Sequence, residues 1–166
     1  MDATDMFRAG LVQSVAAIDA YVHGVVLDYA VDILSGRRQA GSATQIGLHF
    51  GAVSDMIGAP TPTDLELRAR VHVAERLGKE TFQKPDDIGK AFAMVGVRKV
   101  WTLAFGQNAE SMKSALSVAV GRRNQIVHSC DADPVNPGQV RPLSDVDALS
   151  VATSIEQIVR GLHVII

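Results

Sequence analysis

Residues 5–35 read DMFRAGLVQSVAAIDAYVHGVVLDYAVDILS, and this stretch decides the fold class. Apolar side chains recur along it at alternating spacings of three and four, the period of one face of an α-helix. The members of this stripe are Leu11, Val15, Ile18, Val22, Val25, Tyr29 and Ile33. Gly36 follows at the position where a left-handed C-terminal cap is common. The stretch therefore predicts one long first helix.

The same helical period continues through the middle of the chain. We expect a second helix over residues 43–57 and a third that begins at Thr63, where Thr63 and Glu66 have the spacing of a capping box. Pro85 opens a short fourth helix, and residues 97–105, with Trp101 as a core anchor, form a further short helix or a turn. The side chains expected inside are Leu67, Val71, Ala74 and Leu77 in the third helix and Ile88, Phe92 and Val95 in the fourth.

Two more long helices are expected to close the chain. Asn108 can cap a helix that runs to about Cys130, and Ser144 opens the last one. No segment alternates with the period of two that a half-buried strand requires. The sequence therefore predicts an all-α bundle of five to seven helices, three of them long, as a single domain over residues 1–166.

Composition limits the classes of function. The chain has 166 residues, 47% of them hydrophobic, and a net charge of −2, so a nucleic-acid contact would need a local basic patch. A single cysteine excludes an internal disulfide, and His49, His72 and His163 stand too far apart for a metal site, so neither metal nor cofactor is expected. The acidic N-terminus and the lack of an apolar run of about 18 residues predict a cytoplasmic protein without a membrane contact.

The helix over residues 108–130 has an arginine in its apolar stripe. Met112, Leu116 and Ala119 lead to Arg123 at the next position of the row. An arginine there needs a carboxylate, a phosphate or a partner subunit. The alternative is that its stem lies along the core edge while the guanidinium reaches water.

A second row on this helix consists of small or polar residues, Ser117, Gly121, Asn124 and His128. Small side chains let another surface approach the helix closely. Arg123 and His128 are about 140° apart on an ideal helix, and they can meet only through the length of arginine or a distortion near the helix end. The alternative for His128 is an ordinary surface histidine.

Residues 121–128, GRRNQIVH, resemble the Arg-x(4–6)-His motif of the HEPN superfamily. Three further segments resemble its RiboL-PSP-HEPN branch: IDAYVH at 18–23, TFQKPDDI at 81–88 with the later Trp101, and Asp131 to Pro134 after the histidine. The resemblance spans most of the chain. It implies a helical, RNA-cleaving fold that is often found in toxin, defence or RNA-processing systems.

The resemblance also implies roles for residues. By position, Arg123 is the motif arginine, Asn124 its polar neighbour and His128 the motif histidine. Such domains typically form homodimers with the motif helices near the interface, and their toxins work with an antitoxin or another partner protein. Some carry a tyrosine two residues after the histidine as a modification target. Cys130 stands there in this chain, so that form of regulation is not expected.

These residue types suit metal-independent cleavage of RNA, in which the 2′-hydroxyl is the nucleophile. A histidine exchanges protons near neutral pH, an arginine binds phosphate oxygens, and Asn124 can orient the histidine or donate to the phosphate. One histidine per chain leaves the second proton-transfer group missing. A symmetric dimer that brings two copies of His128 to one cleft would supply it.

Five other residues are candidates for supporting roles. Arg122 adjoins the motif, and Asp19 with His23 offers a carboxylate for Arg123 and a second titrating group, although i,i+4 residues also form ordinary surface pairs. Arg37 and Arg38 follow the first helix and would contact RNA phosphates, or they are a solvated helix end.

Two other classes of function stay open on the sequence alone. One is a non-catalytic module of the same fold that binds RNA or a nucleotide, and the other is a protein-interaction domain. A similar fold does not fix an activity.

Overall fold

The computed structural model describes residues 3–41, 44–136 and 138–166. In this part of the chain there are seven α-helices, one short 3-10 helix at Gly106–Asn108 and no strand. The α-helices are α1 Ala3–Leu34, α2 Phe50–Ile57, α3 Pro62–Leu77, α4 Pro85–Met94, α5 Val100–Phe105, α6 Ala109–Ser129 and α7 Asp145–Val164. The predicted all-α class is confirmed, and the three longest helices, α1, α6 and α7, have 32, 21 and 20 residues.

Helix α1 follows its predicted stripe closely. Leu11, Val15, Ile18 and Val22 are fully buried, and Gly36 ends the helix with a φ of 75°. After Val22 the buried position is Val26 rather than Val25. A straight helix of 3.6 residues per turn drifts away from any strict pattern of three and four, which accounts for this shift by one residue.

Helix α2 begins at Phe50, seven residues later than predicted. Gly47 has a φ of 73°, which breaks a helical path, and His49 is extended. The His49 Nδ1 atom accepts the N–H of Ala52 at 3.0 Å and caps the helix. Ala43, the predicted first residue, lies outside the described residues.

Helix α3 differs from its prediction in both its start and its buried face. Thr61, not Thr63, is the N-cap, and its side chain accepts the N–H of Asp64 at 3.1 Å. The buried residues are Ala69, Val73 and Leu77, whereas Leu67 and Val71 are 62% and 57% exposed and Ala74 is exposed. The helix has apolar stripes on two opposite sides, and the stripe with Ala69 and Val73 is the one that packs.

The later helices agree well with expectation. Ile88, Phe92 and Val95 are buried, and the Trp101 indole donates to the Pro85 carbonyl at 2.9 Å. Asn108 is the N-cap of α6 but its side chain makes no capping bond. Ser144 and Asp147 form a complete capping box at α7. In α7, Ile155, Ile158 and Leu162 are buried.

The chain divides into two compact units, and α1 contributes to both. Unit 1 comprises residues 3–19, 83–85 and 101–166, and unit 2 comprises residues 20–82 and 86–100. In unit 1, α6 packs on α7, and Gly161 leaves room for Phe105, whose ring would overlap any Cβ there. In unit 2, a buried cluster joins α1, α2 and α3 through Val31, Met56 and Ala69, with Leu27, Leu34, Leu48 and Leu65 packed around it.

Helix α1 has a second property that bears on location. Over Thr4–Leu34 it is long and apolar enough to cross a membrane, by length and composition. A core helix of a soluble protein and an N-terminal signal sequence share these two properties. The buried residues of α1 form a helical stripe, and 28% of its most apolar 18-residue window is buried.

Candidate functional site

The candidate site lies at the C-terminal end of α6, in unit 1. The helix ends at Ser129, and both Cys130 and Asp131 adopt left-handed conformations, with φ of 49° and 58°. The N–H groups of both residues donate to the Gln125 carbonyl. Two consecutive non-glycine residues in this region are uncommon, so the surrounding contacts must hold them there.

Residues 131–136 and 138–141 form a small hairpin directly after the helix. Ala132 and Val140 form an antiparallel bridge, and the N–H of Arg141 donates to the Asp131 carbonyl at 2.9 Å. Arg141 Nη1 also donates to Gln125 Oε1 at 2.9 Å, which ties the hairpin back to α6. Pro137 lies outside the described residues.

A buried carboxylate holds this end of the molecule together. Asp131 is fully buried, and its Oδ2 accepts hydrogen bonds from Arg8 Nε and Arg122 Nη2, each at 2.9 Å. Arg122 Nη1 is also 2.8 Å from Oδ1, although the pair lacks hydrogen-bond alignment. We call Arg8, Arg122 and Asp131 the Asp131 cluster. It joins α1, α6 and the hairpin.

The two arginines of the Asp131 cluster have further acceptors. Arg8 Nη2 donates to the carbonyl of Arg141 at 2.9 Å, and Arg122 Nη2 donates to that of Pro142 at 3.1 Å. A buried charge is tolerated when it is paired and hydrogen-bonded in this way. Arg122 therefore acts through its contacts with Asp131 and the hairpin, which is a structural role beside the motif.

Arg123 and Asn124 are hydrogen-bonded to each other. Arg123 Nη1 donates to Asn124 Oδ1 at 3.0 Å, and both residues are half-buried. Since the amide oxygen is occupied, the Asn124 NH₂ group and the rest of the guanidinium remain as donors. A planar set of donors beside a positive charge suits a phosphate group.

His128 is exposed in the last turn of α6. Its row continues through Gly121 and Ser117, which are also exposed, and a Cβ at Gly121 would meet no atom within 4 Å. Helix α6 is continuous through both Arg123 and His128, so the expected distortion at the helix end is absent among the described residues. Because the two positions are about 140° apart on a regular helix, one chain presents them in different directions.

Asp19 and His23 have separate partners in the structure. In unit 1, Asp19 Oδ2 accepts from Gln83 Nε2 at 3.1 Å. In unit 2, His23 Nε2 is 3.2 Å from the Leu77 carbonyl and its ring centroid is 4.4 Å from that of Phe82. A carbonyl can only accept, so Nε2 of His23 has the proton and donates it.

Arg37 and Arg38 are engaged at the surface of unit 2. Arg37 donates to Asp32 and Glu66 at 2.9 and 2.8 Å, and these bonds, that to Glu66 first, raise the pKa of Arg37. The Arg38 guanidinium lies 3.6 Å from the centre of the Tyr29 ring. A phosphate would compete with these contacts, so the expected RNA contact of both arginines stays a prediction.

Unit 1 also has a shallow groove along α6 and α7, with a volume of about 400 Å³. Its lining consists mainly of small side chains, Ser111, Ser114 and Ala115 from α6 and Ser150 and Ser154 from α7. Val118, on the same part of α6, is 68% exposed. Small residues beside an exposed valine allow a second helix to approach α6 closely.

Sequence reasoning did not identify the Asp131 cluster. Arg8 lies in the first helix, and its partner is 123 residues away in the chain. The signal that could have revealed it is an acidic residue directly after the end of a helix that has an arginine pair two turns earlier. Nothing in the spacing of residues indicates which of Arg122 and Arg123 turns toward that carboxylate.

Comparisons with known proteins assign neither a family nor a function to this chain. No protein-family model, no curated protein and no solved structure matches this chain. Within the described ranges, no group of three or more histidine, cysteine, aspartate or glutamate side chains is arranged to hold a metal ion.

Proposed function

We propose that this chain is a metal-independent endoribonuclease of HEPN type that acts as a homodimer. The observation that carries the proposal is the end of α6, where Arg123 and Asn124 form one hydrogen-bonded donor group and His128 lies exposed a turn later. A toxin or defence role in the cytoplasm, with an antitoxin or other partner protein, belongs to the same proposal.

The roles follow from the chemistry of each side chain. Neutral His128 removes the proton from the 2′-hydroxyl, whose oxygen attacks the phosphorus and forms a 2′,3′-cyclic phosphate. The 5′-oxygen leaves with a proton donated by a protonated imidazole. Proton transfer of this kind is typically worth about 10²–10⁴-fold in rate. Arg123 and Asn124 bind the phosphate oxygens and stabilise the charge that develops on them.

The dimer is required because one chain is incomplete. It has one motif histidine where the reaction needs both a base and an acid, and Arg123 and His128 project in different directions from α6. A two-fold axis beside α6 would bring the second His128 to the same cleft. The groove of small residues between α6 and α7 supports such an approach.

The proposal is tested by RNA cleavage in excess EDTA. The wild-type protein should cut single-stranded RNA and leave 2′,3′-cyclic phosphate and 5′-hydroxyl ends. His128→Ala should reduce the rate by about 10²–10⁴-fold. The matched control is His163→Ala, an exposed histidine in the last turn of α7 of the same unit, which should cut at the wild-type rate.

Three results would contradict the proposal. They are equal activity in wild type and His128→Ala, activity only after a metal ion is added, or 5′-phosphate products. An inactive wild type that binds RNA, with binding weakened by Arg123→Ala, would favour the non-catalytic RNA-binding module instead. An inactive wild type without RNA binding would favour the protein-interaction domain.

A further inference from the structure

The backbone around His128 is fixed by hydrogen bonds from the turn that follows α6. The Gln125 carbonyl, three residues before His128, accepts the N–H of Asp131 at 3.1 Å. The Ser129 carbonyl, directly after His128, accepts the N–H of Ala132 at 3.0 Å. Carbonyl groups in the last turn have no partner within a helix, and a helix end frays unless other donors reach them. The turn after α6 therefore holds the last helical turn, on which the imidazole stands.

This turn has a backbone conformation that must be stabilised from outside. Cys130 and Asp131 both lie in the left-handed region, which is unfavourable for residues other than glycine. The buried carboxylate of Asp131 supplies the stabilising contacts, because Arg8 and Arg122 both donate to its Oδ2 atom at 2.9 Å. The conformation of the turn, and with it the end of α6, therefore depends on this carboxylate.

The two arginines of the Asp131 cluster differ in what they connect. Arg122 belongs to α6, the helix whose end is being held, so it moves with that helix. Arg8 belongs to α1 and lies 123 residues from Asp131 in the chain. Leu11, three residues after Arg8, is fully buried, so this part of α1 is anchored in the core of unit 1. Arg8 therefore fixes the turn relative to the core, which Arg122 cannot do alone.

The Arg8 guanidinium binds two parts of the chain after α6. Its Nε donates to Asp131 Oδ2 and its Nη2 donates to the Arg141 carbonyl, each at 2.9 Å. Arg141 in turn donates its N–H to the Asp131 carbonyl at 2.9 Å. Arg8 Nη1 is 3.6 Å from the exposed Asp5. The planar guanidinium holds both arms of the hairpin in fixed directions, and a single amine does not have this geometry.

We propose that Arg8 is a positioning residue for His128. By holding Asp131 and the turn after α6, it fixes the direction in which the imidazole meets RNA. This role rests on the proposed ribonuclease function, in which His128 transfers the proton. Arg123 and Asn124 lie a turn earlier, where the helix continues on both sides, so phosphate binding does not need Arg8. A misplacement of about 1 Å in a reacting group can lower a rate by about 10²-fold.

The first test of this role is structural and needs no RNA. In Arg8→Ala, the amides of Asp131 and Arg141 should exchange with solvent about 10–100-fold faster, because Arg8 holds the turn and the hairpin in which both are bonded. The imidazole resonances of His128 should shift in NMR spectra of the same protein, because the last turn of α6 loses its fixed backbone.

Two control variants separate this effect from a general loss of charge or of stability. Arg160→Ala removes another arginine of unit 1 that donates twice to one carboxylate, that of Glu156, but on the exposed surface of α7. Ile158→Val removes a methyl group from a fully buried residue of α7 and lowers stability without changing a charge. Both should leave the His128 resonances and the two exchange rates close to wild-type values.

The second test measures RNA cleavage in excess EDTA. In Arg8→Ala, kcat should fall by about 10²-fold and KM should change by less than about twofold, because the phosphate-binding pair is unchanged. The two control variants should keep the wild-type kcat. Circular dichroism and thermal unfolding confirm that each protein is folded. If Arg8→Ala does not fold, Arg8→Lys takes its place in both tests, since it keeps the charge and loses the planar set of donors.

Three results would overturn the role of Arg8. They are exchange rates and His128 resonances that match wild type, a kcat that falls no further than in Ile158→Val, or a KM that rises while kcat holds. A wild type that does not cleave RNA contradicts the nuclease proposal instead. In that case the exchange rates and resonances alone decide whether Arg8 holds His128 in place. Wild-type kcat in a folded Arg8 variant refutes the positioning role and leaves the nuclease proposal standing.

Discussion

The two units each contain a cluster of three arginine and carboxylate side chains, and the two clusters differ in burial. In the Asp131 cluster, two arginines flank one fully buried carboxylate. In unit 2, two carboxylates, Asp32 and Glu66, flank Arg37, and these three side chains are 38–48% exposed. The closest nitrogen-to-oxygen distances are the same in both, 2.8–2.9 Å.

The distances therefore do not indicate which cluster contributes more to stability, whereas the difference in burial does. Exposed ion pairs gain little, because water and salt screen the attraction and two long side chains lose freedom. A buried pair costs much more to break, since removal of one partner leaves a charge without solvent or counter-ion. The Asp131 cluster also closes contacts among α1, α6 and the hairpin, so we expect it to control the stability of the candidate site.

The largest effect is expected from Asp131→Asn. It leaves Arg122 largely buried without its counter-ion and Arg8 with only the exposed Asp5, 3.6 Å away, and the loss should be about 3–5 kcal/mol. Urea unfolding at neutral pH measures the change. The matched control is Asp133→Asn, a half-buried carboxylate of the same hairpin that pairs with no described arginine, which should change the midpoint far less. Equal effects of the two variants would show that burial does not distinguish these carboxylates.

A smaller loss of stability is expected for the adjacent arginines, and it should differ clearly between Arg122 and Arg123. Arg122→Ala removes charge-assisted bonds to Asp131 and should cost about 1.5–3 kcal/mol. Arg123→Ala should cost less than about 1 kcal/mol, because its bonded partner is the half-buried Asn124. The main effect of Arg123→Ala should be on activity: if the proposed function holds, the rate of RNA cleavage falls by about 10²–10³-fold. Unfolding curves and cleavage rates of the same preparations measure both, and a larger stability loss for Arg123→Ala would reverse the assignment.

The smallest effect is expected for Glu66→Gln in the exposed cluster. The hydrogen bond from Arg37 and the charge of Arg37 lower the pKa of Glu66. Ionised Glu66 therefore stabilises the folded protein at neutral pH. The stability that ionised Glu66 contributes is fully present above the pKa of Glu66 in the unfolded chain, about 4.3. It is lost as the pH falls through the lower pKa of Glu66 in the folded protein. Urea midpoints of wild type and variant should differ slightly at pH 7 in low salt and converge in acid or in 1 M salt. A difference that persists in high salt would contradict the assignment to screened surface charges.

The sequence predicted the fold class well because helical periodicity is local information. The stripe of α1, the Gly36 cap, the start of α7 after Ser144 and the buried face of α4 all follow from residues within a few turns of each other. The errors arose where local signals were ambiguous. Helix α3 has two apolar stripes, and only packing against α1 and α2 decides that Ala69 and Val73 face inward.

The candidate site was predictable only in part. The neighbouring residues Arg123 and Asn124 and the later His128 share one helix, so their relative directions follow from helix geometry. The partner of Arg122 does not follow from helix geometry, because Asp131 lies beyond a left-handed turn. The second arginine that binds Asp131, Arg8, comes from the other end of the chain.

The amino-acid sequence by itself determined the helical class, the three long helices and the position of Arg123, Asn124 and His128 near the end of one of them. Tertiary structure alone decided that Arg122 turns to a buried carboxylate, that His23 donates to a backbone carbonyl, and that Phe50 and Ile57 stay exposed. The reason is physical. Helix periodicity depends on neighbours a few residues away, whereas burial depends on contacts between segments that are distant in the chain.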